Sequence, residues 1–307
     1  MQPTVDKKAH VMRPTPASIE PPPTEDLQAF RPKLHRYCAR MIGSAIDAED
    51  IVQEVYVIAH EKWPEDGVRN AEAWLMKIAH NKSIDHLRRL QRQRTEPIDG
   101  YDAADPEPAP YDTNETVRFA LSVFLQLTPL QRSAVILKDV LDYSLAEISE
   151  LLNQSTGSVK TALFRARNNL KSLAKVVEDE VPVPLERETQ AVLEAYALRF
   201  RNRDIAGIQS MLRDDVRLDL VAKVRAEGKD RVAKYFGNYA SLDDWSTRVG
   251  QVEGHPALHI DDGSGAPFLI VLDCRDEQVA SIRDFHFARY ISDSACFQEL
   301  QSTHACR

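Results

Sequence analysis

The stretch SLAEISELLNQSTGSVKTALFRARNNLK, residues 144–171, decides how the first part of this chain folds. Leu145, Ile148, Leu151 and Leu152 recur at helical spacing and give a short helix one apolar face. Asn153 tolerates the left-handed backbone that ends a helix, and Ser155 is a good N-cap for a second helix starting at Thr156. On that second helix Val159, Ala162, Leu163, Ala166 and Leu170 form a stripe about 100° wide. The opposite side carries Gly157, Lys160, Thr161, Phe164, Arg165 and Asn168. A short helix, a tight turn and a second helix with a basic outer face is a shape that enters a DNA major groove. Gly157, near the helix start, lets the backbone approach a phosphate closely. Taken alone, the pattern also describes a plain helical hairpin with a solvated face.

Upstream, the periodicity predicts a helix over Arg31–Ile42 and another from about Ile46, with Asp47 as N-cap and acids in its first turn. Trp63-Pro64 ends that helix, and Ala73–Arg89 forms a third. On the third helix Lys77, Asn81, Ile84 and Arg88 fall within an arc of about 60°. An amide flanked by cations can hydrogen-bond a base edge while phosphates are neutralised. The net charge of −8 speaks against nucleic acid only as a sum. Locally, Lys77, Lys82, Arg88, Arg89, Arg92 and Arg94 face one acid, Asp85, and Lys160, Arg165, Arg167, Lys171 and Lys175 face none between Leu151 and Val177. Two separate basic blocks suit two separate phosphate contacts.

Residues 1–26 read as a disordered, proline-rich extension and residues 96–115 as an acidic, proline-broken linker. Residues 178–187 form a second joint around Val181-Pro182-Val183-Pro184. Residues 188–293 change character. Two helical stretches, Val192–Arg203 and Ile205–Leu212, precede strand-like runs at Val216–Val221, Phe268–Asp273 and Val279–Ala288. Residues 294–307 read as a tail. Cys38, Cys274, Cys296 and Cys306 lack metal or disulfide spacing and read as reduced cytosolic thiols, so no metal and no cofactor is expected. No apolar run is long enough to span a membrane, and the first residues lack a secretory pattern.

Asp47–Glu54 together with Trp74–Arg89 resembles regions 2.1 to 2.4 of the extracytoplasmic-function (ECF) sigma factors, and Leu127–Arg167 resembles their region 4. The resemblance covers roughly residues 27–175, with both motifs in the family's order. It implies a multidomain protein with two all-α sigma domains, a region 2 helical bundle over residues 27–95 and a region 4 helix-turn-helix over residues 116–177. It implies RNA polymerase core enzyme and promoter DNA as partners, a cytoplasmic location, and no catalytic residue. Asp47, Glu49, Asp50, Gln53 and Glu54 would contact the core enzyme. Asn81 would capture an unstacked base of the −10 element, with Lys77, His80 and Arg88 in support. Gly157, Lys160, Thr161, Phe164, Arg165 and Arg167 would meet the −35 duplex. Pro64–Glu72 corresponds to a part that varies with promoter choice. The acidic linker resembles the segment that threads the polymerase near its RNA path. One departure is Ala162, where a basic residue commonly precedes the apolar position held by Leu163; it implies one phosphate contact fewer.

Residues 188–293 more loosely resemble the SnoaL-like, cone-shaped α+β domain fused to some ECF groups. Gly250–Ala257 and Ile282–Tyr290 carry most of that likeness. Such a domain is expected to pack on the sigma domains and regulate them, its acids facing the two basic blocks. An alternative makes it a ligand-binding or enzymatic module tethered to DNA. Asp284 and His286 alternate on one expected strand and would then point into the cone. The sequence names no small-molecule ligand.

Overall fold

Pro32 at the start and Gly43 at the end delimit the first helix, α1 (Arg31–Ile42). Gly43 has φ 84° and its N–H reaches Ala39 O at 2.8 Å. The positive φ favours glycine here, and a Cβ would also require the end of the Leu125 side chain, 2.5 Å away, to shift. In the computed structural model residues 27–63, 68, 70–95, 124–173, 184–236 and 245–300 are described. The expected extension (1–26), the acidic linker (96–115) and most of the second joint lie outside them.

Helix α2 (Ala45–Glu61) is capped by Ser44, whose Oγ accepts from Asp47 N; Asp47 is inside the first turn and is not the cap. The serine wins because the chain leaves Gly43 extended at Ser44, with φ −135°. Helix α3 (Ala71–Thr95) starts two residues earlier than its periodicity suggests, because Asn70 Oδ1 accepts from Ala73 N at 3.0 Å. These three helices close on Leu34, Tyr37, Met41, Val52, Val55, Leu75, Met76 and Ala79.

The second helical unit begins with α4 (Pro129–Val135), fixed by a Thr128/Gln131 capping box, and continues into a π turn, Ile136–Val140. Helix α5 (Leu145–Leu151) carries a second capping box, Ser144/Glu147. Asn153 adopts φ 51°, and Ser155 Oγ accepts from Ser158 N at 3.1 Å to open α6 (Thr156–Leu173). The helix-turn-helix reading is met residue by residue.

After the joint come α7 (Arg187–Arg201) and α8 (Ile205–Met211), then β1 (Leu212–Leu220), β2 (Val224–Glu227), α9 (Lys229–Phe236), β3 (Ser246–Val252), β4 (His255–Asp261), β5 (Phe268–Arg275), β6 (Gln278–Asp284) and β7 (Phe297–Glu299). The sheet order is β2-β1-β6-β5-β4-β3-β7, with β1 and β6 parallel and every other pair antiparallel. The expected α+β class holds. Strand β7 extends the sheet beyond residue 293 by pairing with β3, where a Cβ on Gly250 would meet Gln298 O at 2.2 Å.

Strand β5 explains how this sheet sits in the molecule. Phe268, Ile270 and Leu272 join a core with Leu193, Tyr196, Phe200 and Phe236 of α7 and α9. The alternate residues Leu269 and Val271, with Val252, Ala257, Phe285 and Ile291, join the core of the two helical units. A strand apolar on both faces needs cover on both. Here one cover is the domain's own helices and the other is the preceding helical units.

Candidate nucleic-acid interface

Helix α6 projects Gly157, Lys160, Thr161, Phe164, Arg165 and Arg167 to solvent, while Val159, Ala162, Leu163 and Ala166 are buried. Phe164 is 68% exposed, far more than a ring of its size requires. Lys138, Lys160, Phe164, Arg167, Asn168 and Lys171 surround a depression of about 370 Å³. Arg167 already holds Asp139 in a bidentate pair at 2.6 and 3.2 Å, and Thr161 Oγ1 donates to Gly157 O at 2.9 Å. A Cβ on Gly157 would meet nothing nearer than Ser155 Oγ at 3.8 Å, so internal packing does not require that glycine. Ala162 faces inward, which gives the missing basic residue a packing reason.

On α3, Lys77, Asn81 and Arg88 are exposed along one face, Arg88 with Asp85 at 3.5 Å. His80 is not with them. It turns into the seam with the second helical unit, its Nδ1 2.8 Å from Tyr37 Oη and 3.3 Å from Ser133 Oγ. The same seam holds Arg132, which donates to the carbonyls of Met41, Leu125 and Leu127. On its other flank Glu72 accepts from Tyr143 Oη at 2.6 Å and pairs with Lys33, which lies over the Tyr143 ring. Trp74 packs edge-on against Trp63, a structural position.

The C-terminal domain covers part of the acidic face of α2. Glu49 is 0% exposed, pairs with Arg31 and accepts from Tyr290 Oη at 2.7 Å. Asp50 meets Arg283 at 3.0 Å and Gln53 Oε1 accepts from Arg225 at 2.9 Å. Glu54 pairs with Lys82 at 2.9 Å, and Asp47 stays exposed. At the tip of the β3–β4 hairpin, Glu253 accepts from Ser44 Oγ at 2.7 Å and Ala45 N at 2.6 Å, at the positive end of α2. Desolvation at this junction raises its carboxyl above the usual range, against the pull of those donors. The sense of the contact corrects the expectation: arginines of the C-terminal domain meet acids of α2. The domain's acids do not provide these contacts to the basic blocks. Arg225, Glu253, Arg283 and Tyr290 had no local signal, because each pairs across more than 170 residues.

Asp284 and His286 do not share a strand face. Strand β6 ends at Asp284, and the chain turns so that His286 N donates to Asp284 Oδ1 at 2.8 Å. The other carboxylate oxygen takes the Tyr235 hydroxyl at 2.6 Å, and the His286 ring packs edge-on against Phe268. The carboxylate therefore closes a turn, and the pair is not arranged as acid and base.

Residues 27–93 match the family model Sigma-70 region 2, and residues 121–170 match Sigma-70, region 4. The chain is 31% identical to the ECF RNA polymerase sigma factor SigG of Mycobacterium tuberculosis over 58% of this chain and 55% of that protein. It is 30% identical to the ECF RNA polymerase sigma factor SigW of Bacillus subtilis over 46% of this chain and 83% of that protein. It thus spans about half the length of the first of these relatives. The crystal structure of the M. tuberculosis ECF sigma factor SigJ aligns over 85% of this chain and 95% of that one, with 20% identity and a TM-score of 0.35. No helix among the described residues is long and apolar enough to cross a membrane.

Proposed function

Because the chain belongs to the ECF sigma factors, we propose that it brings RNA polymerase core enzyme to a set of promoters in the cytoplasm and helps open them. Its two DNA contacts are the exposed faces of α3 and α6. Lys77, Asn81 and Arg88 serve the −10 element, and Gly157, Lys160, Thr161, Phe164, Arg165 and Arg167 the −35 duplex. Asp47, Asp50, Gln53 and Glu54 are the core-enzyme contacts, with Glu49 beneath them. In this division residues 27–95 form region 2, 116–177 region 4, and the SnoaL-like domain runs from residue 188. No group on this chain needs to do chemistry; the work is differential binding of opened DNA, which offsets a few kcal/mol for each base unstacked.

The C-terminal domain is read as a regulator. The observation that carries this is the contact on α2: two of the four residues proposed for core enzyme, Asp50 and Gln53, are engaged by Arg283 and Arg225, while Tyr290 and Glu253 hold the domain beside them. Core enzyme and the docked domain then compete for one surface. Run-off transcription with purified core enzyme tests both parts. The full-length chain is expected to give promoter-specific transcripts at low yield, and a chain ended after Val181 more. Absence of any specific transcript from both would remove the initiation reading, and equal yields would remove the regulatory one. The tethered ligand module has less in its favour, since the Asp284 carboxylate is occupied by Tyr235 and the His286 amide.

A further inference from the structure

His80 lies where the two helical units meet, away from the outer face that carries Lys77 and Asn81. Three polar groups from three helices converge there: His80 of α3, Tyr37 of α1 and Ser133 of α4. Tyr37 Oη is 2.8 Å from His80 Nδ1 and 3.2 Å from Ser133 Oγ. Ser133 Oγ in turn lies 3.3 Å from Nδ1 and 3.3 Å from Met41 Sδ. In a neutral imidazole with Nδ1 unprotonated, Nδ1 can accept a hydrogen bond from the Tyr37 hydroxyl, which keeps its proton, so the seam carries no charge there. A groove of about 410 Å³, lined by Ile84, Leu87, Arg88, Leu130, Leu152 and Gln154 among others, runs beside the ring.

We propose that His80 is a proton-operated latch between the two helical units: the seam closes around the neutral ring and opens when the ring takes a proton. The latch is a property of the chain itself and goes beyond the initiation reading. A proton on Nδ1 turns the acceptor into a donor and places a full charge in the seam. The groups facing it from α1 and α4 are the Tyr37 and Ser133 hydroxyls and the neighbouring Arg132, which acts on the same Tyr37 hydroxyl. From its own helix comes Arg88, and from the α5–α6 turn Gln154. Among the described residues lining the groove there is no carboxylate to balance the new charge. Burial holds the ring down to about 4 in the closed seam. Exposed to water it returns to about 6.5. The open form therefore binds the proton first as pH falls below 6.5, and by pH 5.5 the open-to-closed ratio rises about tenfold. Glu72, on the other flank of the seam, is held below the carboxylate range by Lys33 and Tyr143, against its own desolvation, and adds to opening only at lower pH.

The test uses the full-length chain without polymerase, so that it stands apart from the initiation reading. Single-molecule energy transfer between probes at positions 85 and 169 counts open and closed molecules. The expected result is a roughly tenfold rise in the open-to-closed ratio from pH 7.5 to 5.5 in the wild type, and less than twofold in His80→Gln. An equal rise in both chains, or none in the wild type, would overturn the latch. Should His80→Gln fail to fold, the ring titration of His80 followed by NMR in the wild type decides. A ring titration that coincides with the loss of the closed energy-transfer population supports the latch, and a titration with no change in that population overturns it. Run-off transcription fails or succeeds independently of either result.

Discussion

Glu49 is the residue whose loss the docked arrangement tolerates least. Its carboxylate is fully enclosed and takes two donors, Arg31 from its own domain and Tyr290 from the C-terminal one. Glu49→Ala leaves the Arg31 charge buried beside an empty site, which costs on the order of 3–5 kcal/mol. Urea denaturation of the full-length chain should show that loss. Tyr290→Phe removes one hydroxyl shared by Arg31 and Glu49 and should cost about 1–3 kcal/mol. Asp50→Asn acts on a half-exposed carboxylate paired with Arg283 and should move stability by less than about 1 kcal/mol. Glu253 works with the opposite pH sign from His80. Its carboxyl is raised in the docked state, so docking through it is strongest at low pH and weakens as pH rises through its folded value. Glu253→Gln, which keeps an acceptor without the charge, should flatten that dependence when docking is followed by limited proteolysis of the joint at pH 5 and pH 8. A slope unchanged by the substitution would remove Glu253 as its source. Glu49 and Asp50 were legible as an acidic helix face, but their partners in the C-terminal domain were not, because a contact across more than 170 positions leaves no period or spacing in the chain.

At the scale of elements, the opposite holds for α5 and α6. Their apolar spacing, the left-handed Asn153 and the Ser155 cap are all local, and local signals survive folding unchanged. Strand β5 was legible as an apolar run for the same reason, although its second cover was not. Two local readings failed at element ends. The sequence points to Asp47 as the cap, but Ser44 is the residue in extended backbone. The run Val279–Ala288 looked like one strand, but the Phe285 N–H goes to Leu269 O and the chain turns at His286. Helix α6 predicts its own behaviour on DNA. Phe164→Ala should leave the melting temperature nearly unchanged, because the ring packs on little, yet it should lower promoter output. Lys160→Ala should weaken duplex binding by a similar factor on all sequences and reduce the salt slope by about 1. Filter binding of the sigma–polymerase complex across a salt series measures both. On α3, Asn81→Ala should impair strand opening, read by permanganate reactivity, more than closed-complex binding. Equal loss of the two would contradict the role in base capture.

The molecule as a whole is held by one apolar core that runs from the α1–α3 bundle through α4–α6 to one face of the C-terminal sheet. A second core lies on the other face, between the sheet and α7–α9. The two faces of β5 therefore allow docking to be separated from folding, with adjacent residues as the instruments. Leu269 points to the shared core and Ile270 to the domain's own, and each is 1% exposed. Burying either leucine-sized side chain contributes about 1.5–3 kcal/mol, and an aspartate in its place adds the cost of an unpaired charge. The charge at position 269 can reach water if the domain lifts away, whereas at position 270 it can do so only if the domain unfolds. Leu269→Asp should then leave the sheet intact by circular dichroism, expose the joint to protease, and raise run-off transcription because α2 is uncovered. Ile270→Asp should lose the sheet signal itself. If Leu269→Asp undocks the domain and transcription falls, the domain assists the polymerase contact, and the competition for the α2 face would have to be abandoned.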